Sequence, residues 1–258
     1  MNFPLRQSVL LILWMTTLFV SAQEPPPGGQ APNQAYLRYV CAAPGDEQPK
    51  LFGEWPQFKP GLRLVLEGGA AGSQGLSSDL LPLSSGGYQP VAPGAARIII
   101  VEIPADPTPV PQKKVRGSVN FQPKAGSFYT LLIRGEGSSL NLELIEDEPA
   151  VLKPAKPNEE PPPPRRSLRC WVLEPAIRVR ISCPQAALNL EAGSEKPGRA
   201  ENLKKGLWAL DIQGEWKGQA FNTTVELDLE VPGNWSMFFM RDIYGRVAPT
   251  LLKDASLD

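Results

Sequence analysis

Histidine is absent from all 258 residues, and cysteine occurs only three times. Without imidazole there is no Ser-His-Asp or Cys-His arrangement, no His-ligated zinc, no proximal-His haem and no histidine pH switch. Three thiolates cannot complete a four-ligand zinc site. No S-x-x-K occurs, and Gly68–Gly75 misses the G-x-S-x-G pattern because Ala71 takes the first glycine position. The same string lacks the G-K-[ST] ending of a phosphate-binding loop and reads as a flexible glycine-rich loop. Of the paired carboxylates, Glu146-Asp147-Glu148 closes a strand and Glu159-Glu160 sits among linker prolines, where no dry cavity is expected to tune a pKa. The chain is therefore expected to be no enzyme, with no catalytic residue, no metal and no cofactor. Charge of one sign is also missing: 26 Lys+Arg face 27 Asp+Glu. That removes the electrostatic footprint of a nucleic-acid partner.

Long apolar runs are confined to the N-terminus. Met1–Ala22 carries Arg6, an apolar stretch from Val9 to Val20, and Val20-Ser21-Ala22 before Gln23, the pattern of a cleavable secretory signal. A run of ~12 residues falls short of the ~20 needed to span a bilayer. The expected location is the periplasm, or outside the cell, with membrane contact only through partners.

Proline, by contrast, is abundant, with 29 residues. Residues 23–34 form a Pro/Gly leader, and Pro149–Arg166 forms a linker containing Pro161-Pro162-Pro163-Pro164. Proline lacks the donor that a central strand needs, so these segments divide the chain into modules at 35–148 and 167–258. An extended linker at ~3.1 Å per residue spans up to ~50 Å.

Both modules read as strands. The expected strands of the first are Ala35–Cys41, Gly61–Leu66, Arg97–Ile103, Val115–Phe121, Ser127–Ile133 and Leu140–Ile145. Those of the second are Leu168–Leu173, Ile177–Ser182, Ala187–Leu190, Leu207–Ile212, Thr224–Leu229 and Asn234–Met240. Alternation such as Val225, Leu227, Leu229 against Glu226, Asp228, Glu230 is the period of a half-buried strand. The pattern predicts an all-β protein of two tandem antiparallel β-sandwiches, jelly-roll or immunoglobulin-like, with at most a helical turn near Ser77–Leu83.

The modules repeat each other. Lys124–Asp147 aligns with Val231–Asp254 without a gap, matching Gly126 to Gly233, Arg134 to Arg241, Leu144 to Leu251 and Asp147 to Asp254. Leu37-Arg38 opens the first module as Leu168-Arg169 opens the second. Export permits disulfides, and Cys170 with Cys183 is the pair the spacing allows, leaving Cys41 over; three buried thiols are the alternative. Asn222-Thr223-Thr224 and Asn234-Trp235-Ser236 fit the glycosylation triplet.

Two segments carry a family resemblance. Ala35-Tyr36-Leu37-Arg38-Tyr39-Val40 is one, and Ala125–Ile133 continuing through Leu144-Ile145-Glu146-Asp147-Glu148-Pro149 is the other; Arg166-Ser167-Leu168-Arg169 restarts the pattern. Together they resemble the alginate biosynthesis protein AlgF family, periplasmic accessory proteins of exopolysaccharide O-acetylation. The resemblance covers module one and the start of module two, and the insertion Gly68–Gly94 exceeds the family's usual length. It implies a two-domain β protein that supports acetyltransferase components, or their polymer, without catalysing the reaction. The alternative is a secreted or cell-surface β-sandwich protein with an adhesive or structural role.

Contacts with a polymer or partner are expected where aromatic faces and arginines are exposed. Trp55 and Trp216 lie in turn-like settings, while Trp171, Trp208 and Trp235 lie within strands and are expected in the core. In Ile177-Arg178-Val179-Arg180-Ile181, alternation places Arg178 and Arg180 on one face. Lys113, Lys114 and Arg116 form a second basic cluster.

Overall fold

Alternating side chains punctuated by glycine, proline and asparagine produce short strands, because no stretch sustains a helical period. The computed structural model describes residues 33–46, 55–68, 72–104, 114–136, 138–148, 165–242 and 244–254. The secretory-type segment, nearly all of the leader and of the linker, and Lys113 lie outside the described residues.

Module one consists of β1 (Ala35–Cys41), β2 (Leu62–Gly68), β3 (Ser73–Ser77), β4 (Ser84–Val91), β5 (Ala96–Glu102), β6 (Val115–Phe121), β7 (Phe128–Glu136) and β8 (Ser139–Asp147). They form sheets of order β4-β1-β7-β8 and β3-β2-β5-β6. Module two consists of β9 (Arg166–Val172), β10 (Ile177–Cys183), β11 (Leu188–Gly193), β12 (Gly198–Ala200), β13 (Leu207–Trp216), β14 (Gln219–Asp228), β15 (Gly233–Arg241) and β16 (Val247–Lys253). Its sheets run β12-β9-β15-β16 and β11-β10-β13-β14. The protein is thus a tandem pair of β-sandwiches.

Every expected strand is present, β1 and β6 with the expected ends and the others with shifted ones. Four strands escaped the pattern. β3 and β4 lie within the Gly/Ser/Pro-rich insertion, so Ser73–Gly75 of the expected glycine loop is strand; β12 is too short to show a period, and β16 carries Pro249 on a sheet edge. The turn near Ser77–Leu83 is not helical, and the helical element among the described residues is a single 3-10 turn at Pro184–Ala186. Nor is the pairing purely antiparallel. β1 runs parallel to β7, and β9 parallel to β15, because each module's first strand inserts beside its penultimate one.

Each sandwich closes on its own apolar core. Leu37, Leu64, Ile98, Ile100, Leu131 and Ile133 meet in the first, and Leu168, Val179, Ile181, Leu210, Ile212 and Phe239 in the second. A third cluster joins the modules: Val40, Ala42 and Leu132 pack with Leu173, Phe238 and Met240, flanked by Ile145, Trp171 and Leu252. The sheets containing β1 and β9 are therefore buried on both faces, and the modules dock along a seam instead of standing apart on an extended tether. This explains the unbroken apolar runs Leu131-Leu132-Ile133 and Phe238-Phe239-Met240, which a half-exposed sheet does not need.

The repeat is real but offset by one residue in one strand. In the parallel pairs Arg38 stands opposite Thr130, and Arg169 opposite Ser236. Thr130 therefore corresponds to Ser236, not to Met237 as the gapless alignment has it, while Asp147 still corresponds to Asp254. The separations of 17 residues (Thr130 to Asp147) and 18 (Ser236 to Asp254) show the difference absorbed between the two strands of the hairpin.

Candidate functional site

Among the described residues, polar side chains gather at the seam, on the outer face of module two and in a cleft where the seam ends. At the seam, Arg38 and Arg169 meet Asp147 and Asp254, all four at least nine-tenths buried. Arg38 donates to Asp254 Oδ1 at 2.5 Å and to Thr130 Oγ1 at 2.8 Å. Arg169 Nη2 lies 2.7 Å from Asp147 Oδ1 and 2.7 Å from Asp254 Oδ2. The hydroxyls of Thr130 and Tyr88 donate to Asp147, and that of Ser236 to Asp254. The arginine of each module thus grips the aspartate of the other.

Burial alone pushes the Arg38 guanidinium down, but Tyr88, Asp254 and Asp147 carry it above its ordinary value, so it stays charged. Burial raises the Asp147 carboxyl, and the pull of Arg38 does not fully offset it. These groups compensate one another and leave no opening for a substrate. Their role is cohesion between modules.

The outer face of module two is open. Arg178 and Arg180 project from β10 into a groove of about 910 Å³ whose other charged residues are Glu191, Lys196 and Glu215. Alternation sets this up: Val179 and Ile181 point into the core, and the arginines between them point out. Arg180 is held by Glu191 at 2.6 Å, whereas Arg178 has no side-chain partner among the described residues. The expected pair is thus brought together on one face, one arginine neutralised and one available. Exposed Gln213 and Asn222 add hydrogen-bonding groups. Gly214 lies beneath them because the Phe221 ring occupies the space a side chain would take.

The other expected contact residues lie elsewhere. Trp55 is 43% exposed and donates its indole N–H to the Pro82 carbonyl, on module one. Trp216 is half-buried against the core of module two, with Lys217 5.0 Å and Arg241 5.8 Å from its ring centre. The two tryptophans do not share a surface with the arginine pair. Trp208 and Trp235 pack against the module-two core as expected, whereas Trp171 packs at the seam. The basic cluster is neutralised, since Lys114 and Arg116 both pair with Glu102 and Arg116 also reaches Asp46. Cys170 and Cys183 are free buried thiols, as is Cys41, so the disulfide contemplated from the spacing is not formed. Of the glycosylation triplets, Asn222 is exposed; Asn234 is buried, accepting from Ser167 and donating to the Glu148 carbonyl.

The cleft was not visible in the sequence. It holds about 410 Å³ between the modules and is lined by Arg134, Glu136 and Asn141 from the first and Glu174 and Arg241 from the second. The gapless alignment pairs Arg134 with Arg241, but the one-residue offset places Arg134 where Met240 stands in module two, so the two arginines reach the cleft from unlike positions.

No protein-family profile matches the sequence, and no curated protein matches it. Among solved structures, it overlaps a candidate cell adhesion protein from Bacteroides fragilis, with 9% identity, 87% of this chain and 99% of the other covered, and a TM-score of 0.25. A candidate cell adhesion protein from Parabacteroides distasonis gives 8% identity, coverages of 87% and 99%, and a TM-score of 0.25. The Bacillus anthracis TIE protein gives 12% identity and a TM-score of 0.23, with 86% of this chain covering 34% of that one.

Proposed function

We propose that the chain is a non-catalytic exported accessory protein whose module-two outer face holds an anionic exopolysaccharide, or an acetyltransferase component, during O-acetylation of that polymer. The groove beside Arg178 carries this reading: it is broad and lined by charged side chains, with an arginine left free to meet a carboxylate. The AlgF-like segments and the signal-type N-terminus supply the setting, and the docked modules supply a shared base. Such a role asks only for placement of polymer and enzyme in register, with transfer of the acetyl group left to the partner.

Co-sedimentation with an alginate-type polymer tests the groove. Binding is expected at low salt, weaker as salt rises, and lost in Arg178→Glu/Arg180→Glu. Equal binding by the variant removes the groove from the reading. Unchanged polymer acetylation in a deletion strain removes the acetylation role.

A cell-surface structural or adhesive role is the second reading, favoured by the seam, whose ion pairs and apolar cluster tie the two modules together. Loss of cell attachment in the deletion strain, with acetylation intact, selects it.

A further inference from the structure

We infer that the inter-module cleft is a binding site for one neutral sugar unit, separate from the outer groove and independent of the function proposed for it. Clefts of ~300–1,000 Å³ at domain junctions are the usual seats of small ligands, and this one holds about 410 Å³. Its walls come from both modules, so a ligand there touches each.

The charge pattern selects the ligand class. Arg134 pairs with Glu143, and Arg241 with Glu174 at 2.9 Å and Glu136 at 3.4 Å. A free anion entering the cleft meets Glu136 and Glu174; a free cation meets Arg134 and Arg241. A neutral polyol suits both, because every hydroxyl donates to a carboxylate and accepts from a guanidinium. Asn141 adds an amide that does the same.

Two further observations fit. Arg134 keeps 24% of its side chain exposed, so a sugar oxygen reaches the outer end of this side chain, while its Nε, closed off from solvent and without an acceptor, lies beside the ligand as a reporter. Beside it, Pro44, Leu173 and Pro175 give the cleft an apolar wall suited to the C–H face of a sugar ring. The arrangement follows from the fold: Thr130, Leu132 and Arg134 alternate onto the seam side of β7, and the apolar stripe ends at Ala42 and Arg134, where the modules part.

The test is titration of the full exported chain with glucose, mannose, galactose and their disaccharides, against glucuronate and glucosamine as charged controls. The readout is the Arg134 Nε–H resonance together with calorimetry. A neutral sugar is expected to bind at millimolar Kd and to shift that resonance. Arg134→Met is expected to weaken binding at least about tenfold. Because Arg134→Met also removes the Glu143 ion pair, Ser194→Trp serves as a second variant. Ser194 is an exposed residue at the cleft mouth, and the indole is expected to block entry without touching the core. Arg178→Glu/Arg180→Glu is expected to leave sugar binding intact, while Ser194→Trp leaves polymer binding intact, so the two sites fail separately. The inference is overturned if none of the neutral sugars binds, if binding ignores both cleft variants, or if a charged control binds as well as its neutral counterpart.

Discussion

Arg38 and Asp254 stand 216 positions apart in the chain, yet Nη2 of the first lies 2.5 Å from Oδ1 of the second. One opens module one and the other closes module two, so their ion pair exists only when the modules are docked. Cutting either partner strands a buried charge. Arg38→Met or Asp254→Asn is expected to lower stability by about 3–5 kcal/mol, and the double variant by clearly less than the sum of the two. Urea denaturation of the four proteins measures this; strict additivity contradicts a direct coupling.

Acid acts on the seam's rim. Glu148 lies below the usual carboxylate range because Arg199 grips it through two bonds, at 3.0 and 2.6 Å. A carboxyl depressed in the folded state contributes stability above its unfolded pKa and loses it as the pH falls through the lower folded value. Asp147 has the opposite sign: its pKa is raised, so its contribution is fully present below the unfolded value and lost as the pH rises through the folded one. Glu148→Gln is therefore expected to flatten the acid limb of the stability profile, and Asp147→Asn to steepen it. Thermal melts across the acid range compare the three proteins.

The thiols are expected to be silent. Burial pushes Cys41 up to about 12 and raises Cys170 further, so neither forms a thiolate at neutral pH. A thiol reagent should label no cysteine in the native protein and all three in denaturant. Two labels fewer in denaturant under non-reducing conditions would reveal the Cys170–Cys183 bridge instead.

Gly214 offers a test of the groove's floor. A Cβ there falls 2.3 Å from the Phe221 ring and 2.8 Å from the Arg178 carbonyl oxygen. Gly214→Ala is expected to destabilise by about 1–3 kcal/mol. Adding Phe221→Ala should recover part of that loss, because one of the two clashes is with backbone. Chemical denaturation of the single and double variants decides it.

The sandwiches were legible because a half-buried strand writes its burial into every second residue, as Val225, Leu227 and Leu229 do. The docking of the modules was not. Arg38, Thr130 and Asp147 are polar, and a periodicity argument assigns such residues to solvent, yet they are buried. Their signal lay in the repeat: an arginine and an aspartate at matched positions in both modules. Read within one module they look like a surface pair; only the fold shows that each bonds across to the other. The outward placement of Arg178 and Arg180 was legible from alternation alone; that Glu191 holds Arg180 and leaves Arg178 free was not, and the cleft depends on where two faces part, which no local pattern encodes.

The reciprocity of the seam has a further consequence. Arg38 reaches Asp254 as Arg169 reaches Asp147, so each half presents to the other the face it receives, as in a two-fold homodimer. Within one chain, the covalent connection keeps the halves together at high effective concentration. Between two chains the same bonds form if the first half of one copy closes on the second half of the other. Refolding at high protein concentration should therefore yield exchanged dimers that preserve every seam contact, and the proportion of monomer then measures how far the connection, and not the contact surface, dictates which halves meet.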